Sequence, residues 1–493
     1  MNSTNIDNTA VRPTGVIKAK LSRDDIIMRG GMAVIALYLV ISLVFPLYSM
    51  FSKSFSTFQY DLSKFEVQVS DDAGQFPSAK ANLQSLNDEL QALSNAELST
   101  GSGGRLGVTV FFPDFSFRSP IIYRIRNVDQ QGRFLVGSTL VTGTDWQELD
   151  SNNFRRVQLR PVRSTGLSNF INYFSTPALF KSIQNSIFIS IISTIITVIL
   201  AFWFAYALNR SCMRFKGFFR LIAMAPILVP SLLPGIALVY LFGAQGVIKG
   251  LLFGASIYGP IGIIIGSVFF TFPHAFLIIS TALAISDARL YEAAVSLKAS
   301  AWKTFWTVTI PGARYGIVSA AFVVFNLVIT DFGLPKVIGG QFNVLAVDIY
   351  KQVIGQQNFE MGAVVSVVLI IPAILAFAID RFVQSKQVAL LTARSVPFHP
   401  KPSTKTDLTF TIYCGLVGFF IVGILGICQF AALIKFWPYD LSLSLNNYQF
   451  DKMDGGGWAA YYNSIKMALL TALIGTCVIF FGAYLVEKSS GFK

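Results

Sequence analysis

The sequence predicts an all-α polytopic membrane protein with about eight transmembrane helices and one small α+β domain outside the membrane, and three observations predict it. Apolar residues make up 53% of the 493 and charged residues only 13%, too little polar surface for a water-soluble chain of this length. Apolar runs of spanning length recur from residue 31 to residue 485. Lysine and arginine gather in alternate connections, at 12–29, 210–220, 289–314 and 381–405, as cytoplasmic loops require. The net charge of +13 has the same origin, so no nucleic acid is expected as a partner.

In chain order, residues 1–30 form a polar segment with Arg12, Lys18, Lys20, Arg23 and Arg29, which places the N-terminus in the cytoplasm. The first span, 31–50, begins late and is followed by no small-residue cleavage site, so it is read as a retained helix. Residues 51–178 mix acidic and basic side chains around Gly-Ser-Gly-Gly at 101–104. Lys80 to Leu98 has a helical period, whereas Leu106 to Phe112, Pro120 to Arg126 and Arg133 to Thr142 read as strands. This is the extracytoplasmic domain, long enough to cross whatever its charge.

A first core repeat, 179–383, holds the spans Phe188 to Leu208, Leu221 to Phe242, Ile257 to Leu283, Ile317 to Phe332 and Met361 to Ile379. The third of the eight spans, Leu221 to Phe242, carries Pro226, Pro230 and Pro234, which remove backbone donors on one helical face and predict a kinked or broken helix lining a path. Asn326 and Asp331, near the outer end of the following in-to-out span, join those prolines as candidates for a substrate path. Lys336 to Glu360 reads as an outside loop. A cytoplasmic linker, 384–407, leads to the remaining segment, 408–493, with the spans Leu408 to Ile434 and Tyr462 to Leu485.

The chemistry of an enzyme is not legible. Cys212, Cys414, Cys428 and Cys477 share no metal-ligand spacing, and His274 and His399 are the only histidines, so neither a metal site nor a nucleophile–base pair is predicted. No GxxxxGK[ST] loop is present, so any ATP and Mg must be held by another subunit.

One polar interruption, 287–316, has a helical pattern of its own. Ser286 or Asp287 can cap its start, Leu290, Ala294, Leu297, Ala301, Phe305 and Val308 make one apolar face, and Pro311 ends it. By periodicity alone the segment suits the membrane interface equally well. Glu292-Ala293-Ala294, Ala299-Ser300, Trp302, Phe305, Val308 and Ile310-Pro311 resemble, at matching spacing, the EAA loop of ATP-binding-cassette (ABC) importer permeases, type I. The resemblance implies that this loop docks into a separate ATPase subunit. Glu292 would then supply a charge contact, Ala293 and Ala294 would permit close approach, and Trp302 with Phe305 would anchor the second helix to the bundle. The family most often has glycine where this chain has Lys298, which leaves either a continuous helix or a weakened coupling there.

Asn185-Ser186-Ile187 recurs as Asn463-Ser464-Ile465, and Ala205-Tyr206 as Ala483-Tyr484, both at a separation of 278. The shared offset favours duplication, and the chain resembles fused two-repeat permeases of the ferric iron, thiamine and phosphonate group, with the expectation that it stops within its second repeat. Thr330 to Gly333, Pro335 to Gly340 and Gln352 to Asn358 look most like 2-aminoethylphosphonate permeases. The resemblance implies a periplasmic solute-binding protein, ATPase subunits and a second membrane subunit or missing half as partners. A secondary transporter or channel should carry ionisable groups deep in several spans, and a membrane-anchored sensor would not need Glu292 to Pro311.

Overall fold

Seven helices among the described residues are long and apolar enough to cross a membrane: Ile26–Ser54, Pro177–Arg210, Pro260–Ile285, Ala301–Ile329, Phe359–Gln384, Thr404–Leu433 and Gly457–Lys488. A bent pair, Lys216–Leu228 with Leu232–Phe242, makes an eighth where it counts as one span. This computed structural model describes residues 23–59, 162–285, 287–385, 402–450 and 456–488, with Phe398, Pro400 and the strand segments between 65 and 159.

The chain divides into two compact units. The smaller joins its two ends, before residue 50 and from 449 onward. It holds α1 (Arg23–Leu39), a π turn at Val40–Val44 and α15 (Gly457–Lys488). There Gly31 lies against Leu485, and no residue of α15 is buried.

The larger unit, 50–448, starts with α2 (Phe45–Ser54) as it leaves the first span and continues into paired strands. Strand β1 (Ser56–Gln59) pairs antiparallel with β11 (Val162–Thr165) and so closes the insertion on itself. Between them β2 (Phe65–Val69), β3 (Ala81–Asn82), β6 (Tyr123–Asn127) and β9 (Gln147–Leu149) form one sheet in the order β3-β2-β6-β9. A second sheet takes the order β4-β5-β10-β7-β8, from β4 (Ser99–Thr100), β5 (Val108–Phe111), β7 (Phe134–Val136), β8 (Thr139–Val141) and β10 (Arg156–Leu159). The three β-branched runs therefore do supply strands. The helix expected over Lys80 to Leu98 is corrected at its start, where Ala81 and Asn82 pair with Val67 and Glu66; the rest lies outside the described residues. Arg126 meets Glu66 at 2.8 Å, and Arg124 and Arg126 both lie over the Trp146 ring, a cross-strand cluster that supports the β2–β6 register.

After α3 (Ser168–Ser175) the membrane bundle begins with α4 (Pro177–Arg210), α5 (Lys216–Met224), α6 (Leu232–Phe242) and α7 (Pro260–Ile285). Helices α4 and α7 run parallel: Thr197 meets Thr271 at 3.2 Å, Asn209 reaches Ser280 at 3.0 Å, and Arg210 Nη2 donates to Leu283 O at 2.8 Å. The chain between them must therefore return across the bundle, and α5 and α6 make that crossing with a bend of 104°.

The polar segment 287–316 follows as α8 (Ala288–Ser296) and α9 (Ala301–Thr304), leading into α10 (Ile310–Ile329). Beyond it α11 (Gly333–Ile338) and α12 (Leu345–Tyr350) lead to α13 (Phe359–Ser385) and α14 (Thr404–Leu433), which ends in a hairpin of β12 (Ile434–Phe436) and β13 (Asp440–Leu443). Lys336 to Glu360 is thus mostly short helices rather than a loop. The reason is burial: Leu334, Ile338 and Leu345 have no accessible surface.

Small residues set the packing of the core. Ala201, Ala205 and Ala207 of α4, Ala275 of α7 and Ala313 and Ala320 of α10 are fully buried among Phe204, Phe276 and Ile279. A Cβ built on Gly316 would lie 2.3 Å from the Ala282 Cβ, so α7 and α10 approach as closely as the missing side chain allows. The opposite face of α4, with Ile191, Ile195 and Ile199, is exposed and apolar, as a lipid-facing surface is.

Candidate coupling site and membrane path

Asp287 caps α8, its carboxylate accepting from the Arg289 N–H at 3.1 Å. Of the two capping candidates, Ser286 lies outside the described residues. The buried side of α8 is Ala288, Tyr291 and Ala294, at the spacing of one helical face. Leu290 and Leu297 point away from the bundle, Leu297 being 82% exposed. The single apolar face expected across 290–308 is therefore corrected, because the segment breaks in two and the parts turn independently.

The break is at Lys298, which adopts φ of +53°. The Ala299 N–H bonds to Ala294 O at 2.9 Å and the Lys298 N–H to Val295 O at 2.9 Å, the paired bonds of a Schellman helix end. Lysine occupies the left-handed position that glycine usually fills, so the helix is not continuous there. A side chain in this conformation costs roughly 1–2 kcal/mol. Lys298→Gly should relieve part of it and raise hydrogen-exchange protection of the α8 amides by roughly fivefold, about 1 kcal/mol. Unaltered protection would show that Lys298 bears the left-handed turn without cost.

Ser300 caps the next helix, accepting from the Lys303 N–H at 3.2 Å. A π turn, Phe305–Thr309, then joins α9 to α10. Pro311 does not end the helix as expected. It sits in the first turn of α10, and the wider turn before it, closed by the Ile310 N–H on Phe305 O, accommodates the residue that cannot donate. The second helix of the segment, α9, is thereby continuous with a membrane span.

The predicted coupling residues fall into two groups. Glu292, Ala293, Lys298, Ser300, Trp302 and Pro311 are exposed, whereas Ala294 is buried and Ala299, Phe305 and Val308 are half-buried. Glu292 has no ion pair among the described residues, and its helix presents a charge beside exposed Val295 and Leu297. Phe305 is the anchor: it stacks on Trp203 of α4 at 5.5 Å with the planes 1° apart. Trp302 lies on the outer side of Phe305, at 5.8 Å, and remains 67% exposed.

The membrane-path candidates also separate. Pro226 is buried in a 3-10 turn, Ala225–Leu228, and Pro234 is buried in the first turn of α6. Between them Pro230 lies at the break and lines a cavity of about 470 Å³ with Leu233, Ile236, Tyr240, Cys428 and Asn447. Asp331 reaches the same break, where its Oδ1 accepts from the Ser231 hydroxyl at 2.7 Å and the Gly333 N–H at 3.2 Å. Burial pushes its carboxyl above the usual range, and these hydrogen bonds oppose the rise. Gly333 allows the contact, since a Cβ there would lie 2.8 Å from Ser231 Oγ. Asn326 is apart from this junction: its Oδ1 is buried and meets no donor among the described residues. The sequence carried no sign of Ser231, a plain serine between prolines.

At the far end of the bundle from α8, a polar pocket of about 450 Å³ is lined by Lys181, Asn185, Tyr258, Gln341, Phe342 and Asn343 among others. Asn185 Nδ2 donates to Asn343 O at 2.9 Å, and Lys351 donates to the Asn343 side chain. Nearby Asp348 is buried, its carboxyl pushed up by burial and drawn down less by Ser182 and Lys351. Among the described residues no group of three His, Cys, Asp or Glu side chains could hold a metal ion.

The structure thus combines a bent proline-broken crossing, a helix pair that breaks at a left-handed turn, and a second helix of that pair continuous with a span. Residues 198–388 match the family model described as "Binding-protein-dependent transport system inner membrane component". The chain is a multi-span membrane protein, this segment is similar to such components, and the relatives it matches are named as transport permease proteins. The ferric transport system permease protein FbpB of Actinobacillus pleuropneumoniae is 25% identical over 329 residues, 63% of this chain and 47% of the relative. The molybdenum transport system permease protein ModB of Azotobacter vinelandii is 28% identical over 170 residues, 33% of this chain and 75% of the relative. A bacterial alginate ABC transporter crystal structure shares 16% identity at a TM-score of 0.38, covering 47% of this chain and 85% of that one. The chain spans about half the length of the ferric permeases it matches, 47% and 51%.

Proposed function

We propose that this chain is the permease subunit of an ATP-driven importer in a bacterial inner membrane, with its N-terminus and coupling helices α8 and α9 facing the cytoplasm. The observation that carries the reading is the coupling segment itself: a helix that exposes Glu292 ends at Lys298, and the next helix runs unbroken into span α10. Such a part moves a span whenever a bound partner moves it. ATP and Mg are then held by separate ATPase subunits docking at Glu292, and a periplasmic binding protein delivers solute at the opposite face. A second membrane subunit or second permease half completes the pathway, as the 278-residue repeat suggests. Orientation is tested with an impermeant thiol reagent on intact cells, after replacement of the native cysteines. Asn343→Cys should label and Ser300→Cys should not; labelling of position 300 from outside would reverse the topology.

The solute is a small oxyanion, a phosphonate such as 2-aminoethylphosphonate. Lys181 and the amides of Asn185, Gln341 and Asn343 line the pocket at the delivery face, and no acidic residue is among its lining residues. The relatives named for ferric iron support iron as the second reading, with thiamine behind it. Uptake of radiolabelled 2-aminoethylphosphonate and of ferric iron by the complete transporter decides between them. Lys181→Glu should lower phosphonate uptake by at least about tenfold, through like-charge repulsion in the pocket. Iron-only uptake, or phosphonate uptake indifferent to that change, would remove the phosphonate assignment.

A further inference from the structure

At the α8 end of the bundle four segments meet on one guanidinium. Arg210, the last residue of α4, places its Cζ 4.9 Å from the Tyr291 ring of α8 and 4.5 Å from the ring of Phe398. The two rings are themselves 4.6 Å apart. Nη2 bonds to Leu283 O near the end of α7, while Nε is buried without an acceptor among the described residues. The charge is thus held by one carbonyl and two aromatic faces, an arrangement that is effective when water is excluded. Tyr291 in turn donates to Thr309 Oγ1 at 3.1 Å, in the π turn that leads into α10.

Phe398 belongs to the polar stretch that the sequence marks only as a linker, yet the chain beyond it is tied to the same corner. The Cys212 thiol donates to Pro400 O at 3.2 Å, and its N–H donates to Asp407 Oδ1 at 2.8 Å. Asp407 also accepts from the Ser403 N–H at 3.1 Å and stands in the first turn of α14. The linker is therefore a strap from the coupling helix to the start of the next span.

We propose that Arg210 and Phe398 are positioning residues of a transmission joint, through which displacement of α8 reaches α4, α7, α10 and, by the strap, α14. The proposal rests on the permease reading and adds to it a part of the chain outside the docking loop. Loss of Phe398 removes one face of the clamp and frees the strap. Arg210→Lys keeps the charge but loses the flat surface that lies against the paired rings.

The complete transporter, reconstituted with its ATPase and binding protein, tests the joint by the ratio of solute imported to ATP hydrolysed. Phe398→Ala and Arg210→Lys should each lower that ratio roughly tenfold, the scale of a desolvated cation–π contact. ATPase copurification should stay unchanged, and Phe398→Tyr should restore the ratio. An unaltered ratio in Phe398→Ala overturns the proposal. A second arm needs no transport: with Cys414, Cys428 and Cys477 replaced, Cys212 and a cysteine at position 400 (Pro400→Cys) are joined in native membranes by a short bifunctional thiol reagent. The link should form readily, and its yield should fall several-fold when Phe398→Ala is added. A yield unaffected by Phe398→Ala also overturns the joint. If the unaltered chain supports no ATP-dependent uptake, the permease reading fails and this arm alone decides the joint.

Discussion

Glu292→Arg should abolish ATP-driven uptake while leaving the chain inserted in the membrane. The side chain is exposed on α8, takes part in no ion pair among the described residues, and is flanked by Val295 and Leu297, which are likewise exposed. Reversal of its charge therefore disturbs nothing inside the bundle. In a docking contact the same reversal sets like charges together, and a buried interfacial charge lost or inverted costs about 2–5 kcal/mol, or 30-fold to several-thousand-fold in affinity. Copurification of the ATPase with the altered chain, read beside uptake, is the measurement. Normal capture and normal import would show that the ATPase docks elsewhere.

Gly316→Val should destabilise the bundle by about 1–3 kcal/mol, the usual cost of overpacking. The expected clash is direct, since the first added carbon would lie 2.3 Å from the Ala282 Cβ. Both partners are helical, so relief requires α7 and α10 to separate, which also strains the Phe305–Trp203 stack on the neighbouring helix. Thermal stability of the detergent-solubilised chain reports the loss, and Ala282→Gly supplies the control. If the double substitution is no more stable than Gly316→Val alone, the close approach of these two positions is not the cause.

The positions of the spans were legible because a membrane helix advertises itself by length and apolarity. Each of the eight expected runs overlaps a helix or the bent pair, although the helices over Phe188 to Leu208 and Ile317 to Phe332 start 11 and 16 residues earlier, at Pro177 and Ala301. Pro226, Pro230 and Pro234 announced a broken crossing, since three missing donors in so short a run cannot be absorbed by a straight helix. The EAA-like residues announced a two-part coupling segment by resemblance, but not which of them face outward. Ala294 looked like a contact residue and is buried, whereas Leu297 looked like core and is exposed, because α8 buries the face of Ala288, Tyr291 and Ala294 while Leu297 stands at its end, beside the left-handed turn.

Composition and local pattern by themselves determined that this is a membrane-spanning chain, where it crosses, and that one polar segment has a helical pattern of its own. Those properties depend on neighbours in sequence, through hydropathy, proline and capping. Only the tertiary structure decided that Lys298 takes the left-handed turn, that Asp331 closes on Ser231 across the broken crossing, and that Arg210 lies against the paired rings of Tyr291 and Phe398. Each of these follows from burial and from groups brought together by packing, and a single position carries no mark of the distant partner that packing will give it.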